Sequence, residues 1–344
     1  MTDTVTLPVE TLTARIAAIF AKAGLTPPQA EAVARVIAAG ERDGCRSHGI
    51  YRIEGCLRTL RAGKVVADAD PVVEDDGSAV IRVAAGGGFS PLAFERGAPL
   101  LAERAKTLGL AALVINDCAH FSALWPEIET LTGLGVAAMA MCPSFATVAV
   151  AGGTQPLLGT NPFAFGWPRP GAAPYVFDFA TSVAARGEIE LHRRAGEPLP
   201  EGWAIDVEGR PTTDPERALA GAMLPFGGHK GSAISTMIEL LAGVMIGDLT
   251  SRGALDRLGT TALAPSHGEL ILAFSPERFA GGRPGDPFAR AEGLFEAILG
   301  QGARLPSQRR RAARARSEAE GVRLTAAEAE KLARLERLGL AALD

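Results

Sequence analysis

The order of apolar and polar positions along the chain predicts helices interleaved with strands. Apolar residues at helical spacing predict a helix from Pro8 to Gly24, and Pro27 opens a second helix that runs towards Asp43. Further helices are predicted at 50–62, 91–108, 184–192, 231–247, 288–299 and 325–342. Short apolar runs predict strands at 72–74, 79–83, 111–116, 136–141, 148–150, 176–179 and 270–274, with a polar loop at 193–217.

The interleaving indicates a mixed α/β class. A Rossmann domain is poorly supported, because no Gly-x-Gly-x-x-Gly run follows a strand and opens a helix. The three glycines Gly86-Gly87-Gly88 lack that layout. The apolar run from Leu240 to Ile246 is bounded by Glu239 and Asp248, so we interpret it as a buried helix and expect no membrane span.

Composition narrows the function classes. The 344 residues carry a formal net charge of -4, which argues against a general nucleic-acid binder. The four cysteines form no Cys-x-x-Cys pair, so we expect neither a disulfide framework nor a metal site. Reduced thiols and the lack of a signal-peptide pattern predict a cytoplasmic protein.

The run Ser47-His48-Gly49 contains the first candidate for chemistry. Histidine titrates near neutral pH and suits general acid catalysis, and Ser47 is placed to hold its ring or relay a proton. Arg52 follows four residues later, on the same face if the segment is helical, where it would bind a substrate carboxylate. The alternatives are a helix-capping Ser-His pair and an ordinary surface arginine.

Two further segments have the composition of ligand-binding turns. Asp178 to Ser182 follows a strand, where small residues leave backbone N–H groups for a ligand, although Thr181 or Ser182 as a helix N-cap is the simpler interpretation. Glu188 would orient the imidazole of His48 if the fold brings them together. Gly227 to Gly231 opens an apolar helix, and Lys230 at its N-terminus would attract a phosphate.

The strongest basic cluster lies near the C-terminus. It would neutralise the 2'-phosphate of NADPH, or it forms a solvated helix face; the sequence favours neither. Its members are Arg309, Arg310, Arg311, Arg314 and Arg316.

Taken together, these motifs resemble the malate/L-lactate dehydrogenase family of NAD(P)-dependent oxidoreductases, which does not use a Rossmann fold. The resemblance covers nearly the whole chain. Its markers are Ser47-His48-Gly49 with Arg52, Gly159-Thr160-Asn161-Pro162, Asp178 to Ser182, and Pro225 to Gly231.

Two details resemble one branch of that family, which reduces the cyclic imines delta-1-piperideine-2-carboxylate and delta-1-pyrroline-2-carboxylate to L-pipecolate and L-proline. One is the run from His120 to Pro126, which includes Trp125. The other is Glu188, where the family's hydroxy-acid dehydrogenases tend to carry lysine; a carboxylate there would favour a charged His48. The alternative is a dehydrogenase for malate, L-lactate, ureidoglycolate or another 2-hydroxy acid. A non-catalytic scaffold is a third hypothesis, and it would require a broken acid/base set.

The resemblance implies a role for each matching residue. His48 would donate the proton, with Ser47 and Glu188 completing a relay. The substrate would be held by Arg52, Thr160, Arg186 and Gly187. The cofactor would be held by His120, Phe121, Ser122, Ala123, Leu124, Asp178, Phe179, Ala180, His229, Lys230, Leu305, Pro306, Ser307, Gln308, Arg309, Arg310 and Arg311.

One departure from the family pattern bears on the cofactor. The last stretch usually carries a glycine and an acid before its arginine, whereas Ser307-Gln308-Arg309 stands here. Loss of the acid favours NADPH, with NADH still possible, and it puts the contacts of that loop in doubt.

The resemblance also implies an architecture. We expect an α/β fold with a mixed, largely antiparallel sheet in a non-Rossmann cofactor domain at 116–309. A helical substrate and dimerisation domain would combine 1–115 with 310–344. A homodimer is the expected assembly, with the active site near its interface.

Overall fold

The computed structural model describes residues 4–344. The helices are α1 Val9–Lys22, α2 Pro27–Arg42, α3 Tyr51–Arg61, α4 Ser90–Leu108, α5 Trp125–Gly133, α6 Arg186–Ala195, α7 Pro215–Ala220, α8 His229–Glu239, α9 Ser251–Leu258, α10 Pro276–Ala280, α11 Pro287–Gly300, α12 Gln308–Glu320 and α13 Ala326–Leu338. The strands are β1 Thr4–Leu7, β2 Val72–Glu74, β3 Val80–Ala84, β4 Leu110–Ala119, β5 Ala137–Met141, β6 Val148–Ala149, β7 Pro156–Leu158, β8 Phe163–Trp167, β9 Tyr175–Phe179, β10 Ala204–Ile205, β11 Pro211–Thr212, β12 Ala222–Met223, β13 Ser266–Phe274 and β14 Val322–Thr325.

A seven-stranded sheet forms the centre of the molecule, in the order β2-β3-β4-β13-β5-β8-β9. Among these described strands only β3 and β4 pair in parallel; the other neighbours are antiparallel. The predicted mixed, largely antiparallel sheet is therefore confirmed. Strands β2 and β3 pair antiparallel across the turn at Asp75 to Gly77.

A smaller five-stranded sheet has the order β11-β10-β12-β6-β7. Two of its strands lie inside 193–217, which was predicted to be a polar loop, and α7 begins within the same segment. That interpretation was wrong because these elements are only two to six residues long, too short to show a hydrophobic period.

Helices from both ends of the chain pack into one helical unit. Leu12, Ile16 and Ile19 of α1 are fully buried, and Leu332 and Leu335 of α13 belong to the same apolar cluster. The helical period predicted both helices, and the strand pair of β1 with β14 ties the two ends of the chain together.

The packing places the end of the N-terminal part of this helical unit earlier in the chain than residue 115. The predicted limit at residue 115 falls inside β4, and the buried Leu113 and Ile115 share their core with Ile81 of β3 and Ile271 of β13. Since one sheet core continues across residue 115, we place the edge of the helical unit before β2.

The segment after α8 differs from its prediction in two ways. The α-helix ends at Glu239 and continues as a π-helix from Leu240 to Val244. It is also not buried throughout: Leu240 is 54% exposed, and Val244 and Met245 are each 59% exposed. In the described part of the chain, no helix combines the length and the apolarity that crossing a membrane requires.

Candidate active site

A large cleft of about 1310 Å³ lies between the helical unit and the sheets. The turn carrying His48, the loop after β4, the end of β9, the start of α6 and the loop before α12 all line it. Most of the predicted site residues line this cleft: Ser47, His48, Arg52, His120, Phe121, Ser122, Ala123, Thr160, Asp178, Phe179, Ala180, Arg186, Gly187, Glu188, Leu305, Pro306, Ser307, Gln308, Arg309 and Arg310.

Two glycines allow the turn that carries His48 to sit tightly against α2. A Cβ on Gly40 would lie 2.4 Å from the carbonyl oxygen of His48, and a Cβ on Gly49 would lie 2.2 Å from Oε1 of Glu41. That same Glu41 oxygen accepts a hydrogen bond of 3.0 Å from the backbone N–H of Ile50. The 3₁₀ turn Arg46–His48 is therefore held from the α2 side by close backbone contact.

The side chains of Ser47, His48 and Arg52 form one contact group. Ser47 Oγ lies 3.2 Å from His48 Nδ1, and an Arg52 Nη2 lies 3.5 Å from His48 Nε2. Arg52 Nε also donates to the carbonyl oxygen of Ser47 at 2.7 Å. The predicted proximity of His48 and Arg52 is thus found, although His48 lies in the turn before α3 and not within the helix.

Electrostatics in the cleft disfavour a charged His48. Burial, followed by the neighbouring Arg52 and His120, lowers the pKa of His48 to about 3. Burial likewise lowers the pKa of Arg52, and within residues 4–344 no carboxylate forms an ion pair with its guanidinium. A ligand carboxylate would supply the missing counter-charge to Arg52.

Glu188 lines the cleft at the start of α6. Its Oε2 accepts from the backbone N–H of Ala185 at 3.4 Å, whereas Arg52 lies against the ring of His48. The effect of Glu188 on the charge of His48 stays a prediction. Its role in a relay stays a prediction.

The residues predicted to hold the substrate lie around the same turn. A Cβ on Gly187 would stand 3.7 Å from the Cβ of Ser47, so the start of α6 faces the His48 turn closely. Arg186 Nη2 lies 3.4 Å from Thr261 Oγ1 and 3.5 Å from the carbonyl oxygen of Leu219. Burial lowers the pKa of Arg186, so its charge, like that of Arg52, would be stabilised by an anion.

Thr160 reaches the cleft because its neighbour anchors the strand connection. Asn161 is fully buried with a φ of 30°, and its side-chain amide donates to Ser235 Oγ at 2.9 Å and to Glu239 Oε1 at 2.8 Å. Thr160 itself accepts from the backbone N–H of Thr181 at 2.8 Å. The motif around Thr160 therefore joins the β7–β8 connection to α8.

The turn after β9 caps a helix other than the one predicted. Oδ2 of Asp178 accepts from the backbone N–H groups of Leu124 and Trp125, at 2.9 and 3.0 Å, at the N-terminus of α5. Neither Thr181 nor Ser182 caps α6, whose N-cap is Ala185. The simpler interpretation of this turn was wrong because Thr181 Oγ1 donates to Asn161 and Ser182 Oγ to Ala184.

Two features of the cleft fit a bound dinucleotide. Ser122 Oγ is buried at the cleft wall without a hydrogen-bond partner in the described residues, so a ligand can engage it. Ser307 has a φ of 70°, the left-handed conformation that a glycine would adopt without strain. Serine thus occupies the glycine position of the family pattern, and its Oγ donates to the carbonyl oxygen of Val176.

Four predicted cofactor residues do not line the cleft, namely Leu124, His229, Lys230 and Arg311. His229 and Lys230 are exposed at the start of α8, and Leu124 is fully buried. Their roles stay predictions.

The basic cluster divides into structural and exposed members, so neither earlier interpretation describes all of it. Arg314 pairs with the buried Asp43 and with Glu129, at 2.6 Å for the latter. Arg310 lies 4.9 Å over the Trp125 ring and 3.6 Å from Glu129. Arg309 remains exposed on the cleft wall, where a phosphate can reach it.

Sequence reasoning missed a buried polar group under the cleft. His267 and Glu269 lie just before the predicted strand 270–274, within the longer β13, and Glu127 lies in α5, which was not predicted. The sequence signal for this buried group was a glutamate at the start of an apolar run, in His267-Gly268-Glu269-Leu270.

Comparisons with known proteins agree with this architecture. A family model described as malate/L-lactate dehydrogenase matches residues 7–333. The chain is 72% identical to a delta(1)-pyrroline-2-carboxylate reductase of Agrobacterium fabrum, over 100% of both chains. It is 57% identical to a delta(1)-pyrroline-2-carboxylate/delta(1)-piperideine-2-carboxylate reductase of Pseudomonas aeruginosa, over 85% of this chain and 87% of that one. The crystal structure of a delta1-piperideine-2-carboxylate reductase from Pseudomonas syringae pv. tomato superposes with a TM-score of 0.91 at 42% identity, covering 96% of this chain and 99% of that one.

Proposed function

The chain belongs to the malate/L-lactate dehydrogenase family, and we propose that it reduces delta-1-pyrroline-2-carboxylate and delta-1-piperideine-2-carboxylate to L-proline and L-pipecolate. The observation that carries the proposal is the contact group of Ser47, His48 and Arg52 on the cleft wall, which joins a proton carrier to an unpaired cation. The relatives named above, at 72% and 57% identity, support the choice of cyclic imines.

The substrate has two polar groups that match this contact group. Its carboxylate would pair with the Arg52 guanidinium, whose planar donors suit that geometry. Its ring nitrogen is double-bonded to the carbon that bears the carboxylate and would face the imidazole of His48. Binding therefore places the carbon that receives hydride between an anchoring cation and a proton donor.

Substrate binding would reverse the electrostatics of His48. In the free protein, burial and the positive charge of Arg52 keep the imidazole neutral. A carboxylate on Arg52 cancels that charge and brings an anion close to the ring, which raises the pKa of His48. His48 would then hold its proton at the imine nitrogen. This proton balances the negative charge that the nitrogen gains as hydride reaches the neighbouring carbon.

The reduction requires a nicotinamide, which when bound supplies the hydride. Its binding would use the orphaned hydroxyl of Ser122 and the exposed guanidinium of Arg309. We propose NADPH in preference to NADH, because Arg309 is exposed on the cleft wall and Gln308 places no negative charge beside it. Glu188 is proposed to complete the relay with Ser47 and His48 once ligands close the cleft.

We also propose that the protein is a cytoplasmic homodimer. Met237, Leu240, Val244 and Met245 form an apolar stripe on α8 and its π-helical extension, each between 38% and 59% exposed. Contiguous exposed apolar surface of this kind is typical of protein interfaces. A second copy of the chain is the proposed partner.

The function is tested by incubating the purified protein with each imine and with NADPH or NADH, and following the absorbance of the reduced nicotinamide. We expect turnover of both imines, faster with NADPH. His48→Asn should lower kcat by about 100- to 10,000-fold, the usual contribution of a general acid. Brisk turnover of oxaloacetate or pyruvate with neither imine reduced would instead favour the hydroxy-acid dehydrogenase.

A further inference from the structure

A buried group of titratable side chains lies directly under the cleft. Its members are His120, Glu127, Cys142, His267 and Glu269, and each is at most 4% exposed. They come from four separate segments: the loop after β4, α5, the loop after β5, and β13. None of the roles described above uses the two glutamates.

The two glutamates and His120 face one another. One nitrogen of His120 and one oxygen from each of Glu127 and Glu269 lie within 4.8 Å of one another, and His120 Nε2 is 3.4 Å from Glu269 Oε2. The ring of His267 stacks on that of His120 with centroids 5.4 Å apart, while its Nδ1 lies 2.8 Å from the carbonyl oxygen of Gly268.

Charge balance in this cluster is incomplete. Both oxygens of Glu269 and Oε2 of Glu127 are buried without a donor from the described residues. Within residues 4–344, His120 is the one basic side chain that pairs with either carboxylate. Two ionised carboxylates buried side by side without donors are strongly disfavoured, so one of them has to be neutralised.

We propose that Glu127 and Glu269 share a single proton, with Glu127 as the protonated member. The Glu127 carboxyl group then donates to the Glu269 carboxylate, which also accepts from the Nε2–H of His120. This arrangement supplies donors to the orphaned oxygens and fixes the His120 ring at the cleft wall. Glu269 is thus the positioning residue for His120, and the Glu127 carboxyl group is the hydrogen-bond donor to Glu269.

The direction of each pKa supports this assignment. Burial, and then the neighbouring Glu269, raises the pKa of Glu127 well above its usual value. Burial also acts to raise the pKa of Glu269, but His120 and Glu127 outweigh it, so the pKa of Glu269 is lowered. The other titratable groups that face the pair are Cys118 of β4, Cys142 after β5, His267 of β13 and Asp178 of β9.

The pair matters for the reaction because His120 stands next to His48. The charge of His120 is among the causes that lower the pKa of His48, and both rings line the same cleft. A displaced His120 would therefore change the proton affinity of His48 and the shape of the cleft floor. This consequence rests on the proposed function; the shared proton itself does not.

The test compares two isosteric variants, Glu127→Gln and Glu269→Gln. An amide at 127 still donates to Glu269, so Glu127→Gln should keep near-parental kcat and stability. An amide at 269 removes the charged acceptor beside His120, and kcat should fall by about 10- to 100-fold with a smaller change in KM, together with a shifted pH profile. Glu296→Gln, on the exposed surface of α11, is the matched control.

Two readouts do not depend on turnover. At a pH where ordinary carboxyl groups are ionised, the infrared difference between the parent and Glu127→Gln should show one carboxylic-acid C=O band lost. Equal damage from both variants, or no such band, would overturn the assignment. So would one tightly bound divalent ion per chain in metal analysis, because the same side chains would then be ligands. If the imines are not reduced while the band is present, the proposed function fails and the shared proton stands.

Discussion

The indole N–H of Trp125 donates to the buried carboxylate of Asp43, with 3.1 Å between Nε1 and Oδ2. The Trp125 ring meets the His48 ring edge to face, with centroids 6.2 Å apart and planes at 86°. Asp43 is fixed in turn by Arg42 and Arg314, which hold its pKa below the usual value despite its burial. An ion-paired carboxylate therefore orients the aromatic ring that packs against the candidate acid.

Trp125→Phe is expected to reduce kcat by about tenfold while leaving KM nearly unchanged. The phenyl ring keeps the aromatic contact with His48 but loses the hydrogen bond to Asp43, a bond to a charged group worth about 1.5–3 kcal/mol. Steady-state kinetics with either imine measure the split. Trp167→Phe, on β8 away from the cleft, is the control. A rise in KM alone would show that Trp125 shapes the substrate pocket instead.

Close packing of α2 against the His48 turn gives a second prediction. In a helix interior, Gly→Ala normally stabilises by up to about 1 kcal/mol. At Gly40 the new Cβ would lie 2.4 Å from the His48 carbonyl oxygen, so we expect Gly40→Ala to destabilise the fold by about 1–3 kcal/mol and to lower kcat as the turn shifts.

Urea denaturation and kinetics on the same preparation check this expectation. Gly293→Ala is the matched control, because that glycine lies within α11 with nothing within 4 Å of the added Cβ. The control should be neutral or stabilising. If Gly40→Ala behaves like Gly293→Ala, the contact with His48 does not restrict the turn.

The sequence predicted some parts of this site and not others, for physical reasons. The α1, α2 and α4 helices and the β3 and β13 strands were predictable because each carries a long, regular apolar pattern. The proximity of His48 and Arg52 was predictable because it is local. The contacts of Asp43 with Trp125 and of Glu127 with Glu269 were not, since residues far apart in sequence meet only through the tertiary fold. Glu188 Oε2 accepts from the backbone N–H of Ala185, and its pairing with His48 stays a prediction.

Glu41 predicts a pH dependence of stability. Burial raises its pKa from 4.5 to about 7, so folding favours the protonated acid. The raised pKa of Glu41 stabilises the fold by up to about 3 kcal/mol below about pH 4.5. This contribution to the free energy of unfolding is lost as the pH rises through 7. Glu41→Gln stays neutral and keeps an oxygen for the Ile50 N–H, so it should be more stable than the parent at pH 8 and similar at pH 5.

Chemical denaturation at the two pH values measures this difference. Glu330→Gln, at an exposed position of α13, serves as the control and should show no such pH dependence. A stability difference between Glu41→Gln and the parent that is the same at pH 5 and pH 8 would contradict the raised pKa.

Arg309 predicts the cofactor preference. Arg309→Ala should raise KM for NADPH by about tenfold, the loss expected for one charge-assisted hydrogen bond, with little effect on KM for NADH. Arg316→Ala is the matched control, since Arg316 is exposed on the same helix and does not line the cleft. Equal losses with both cofactors would place Arg309 against a phosphate that the two cofactors share.

Arg52 and His48 together predict that ligand binding takes up a proton. In the free protein the pKa of His48 is lowered to about 3, so the imidazole is neutral at pH 7. Furan-2-carboxylate, a flat analogue whose ring oxygen has no proton to donate, would place its carboxylate on Arg52 and raise the pKa of His48. Calorimetry in buffers of different ionisation enthalpy should show proton uptake that grows as the pH falls from 8 to 6. His48→Asn should bind without uptake, and Arg52→Lys should bind more weakly but still take up protons. Binding with no proton uptake by the parent would contradict the prediction, because a carboxylate on Arg52 would then leave His48 neutral.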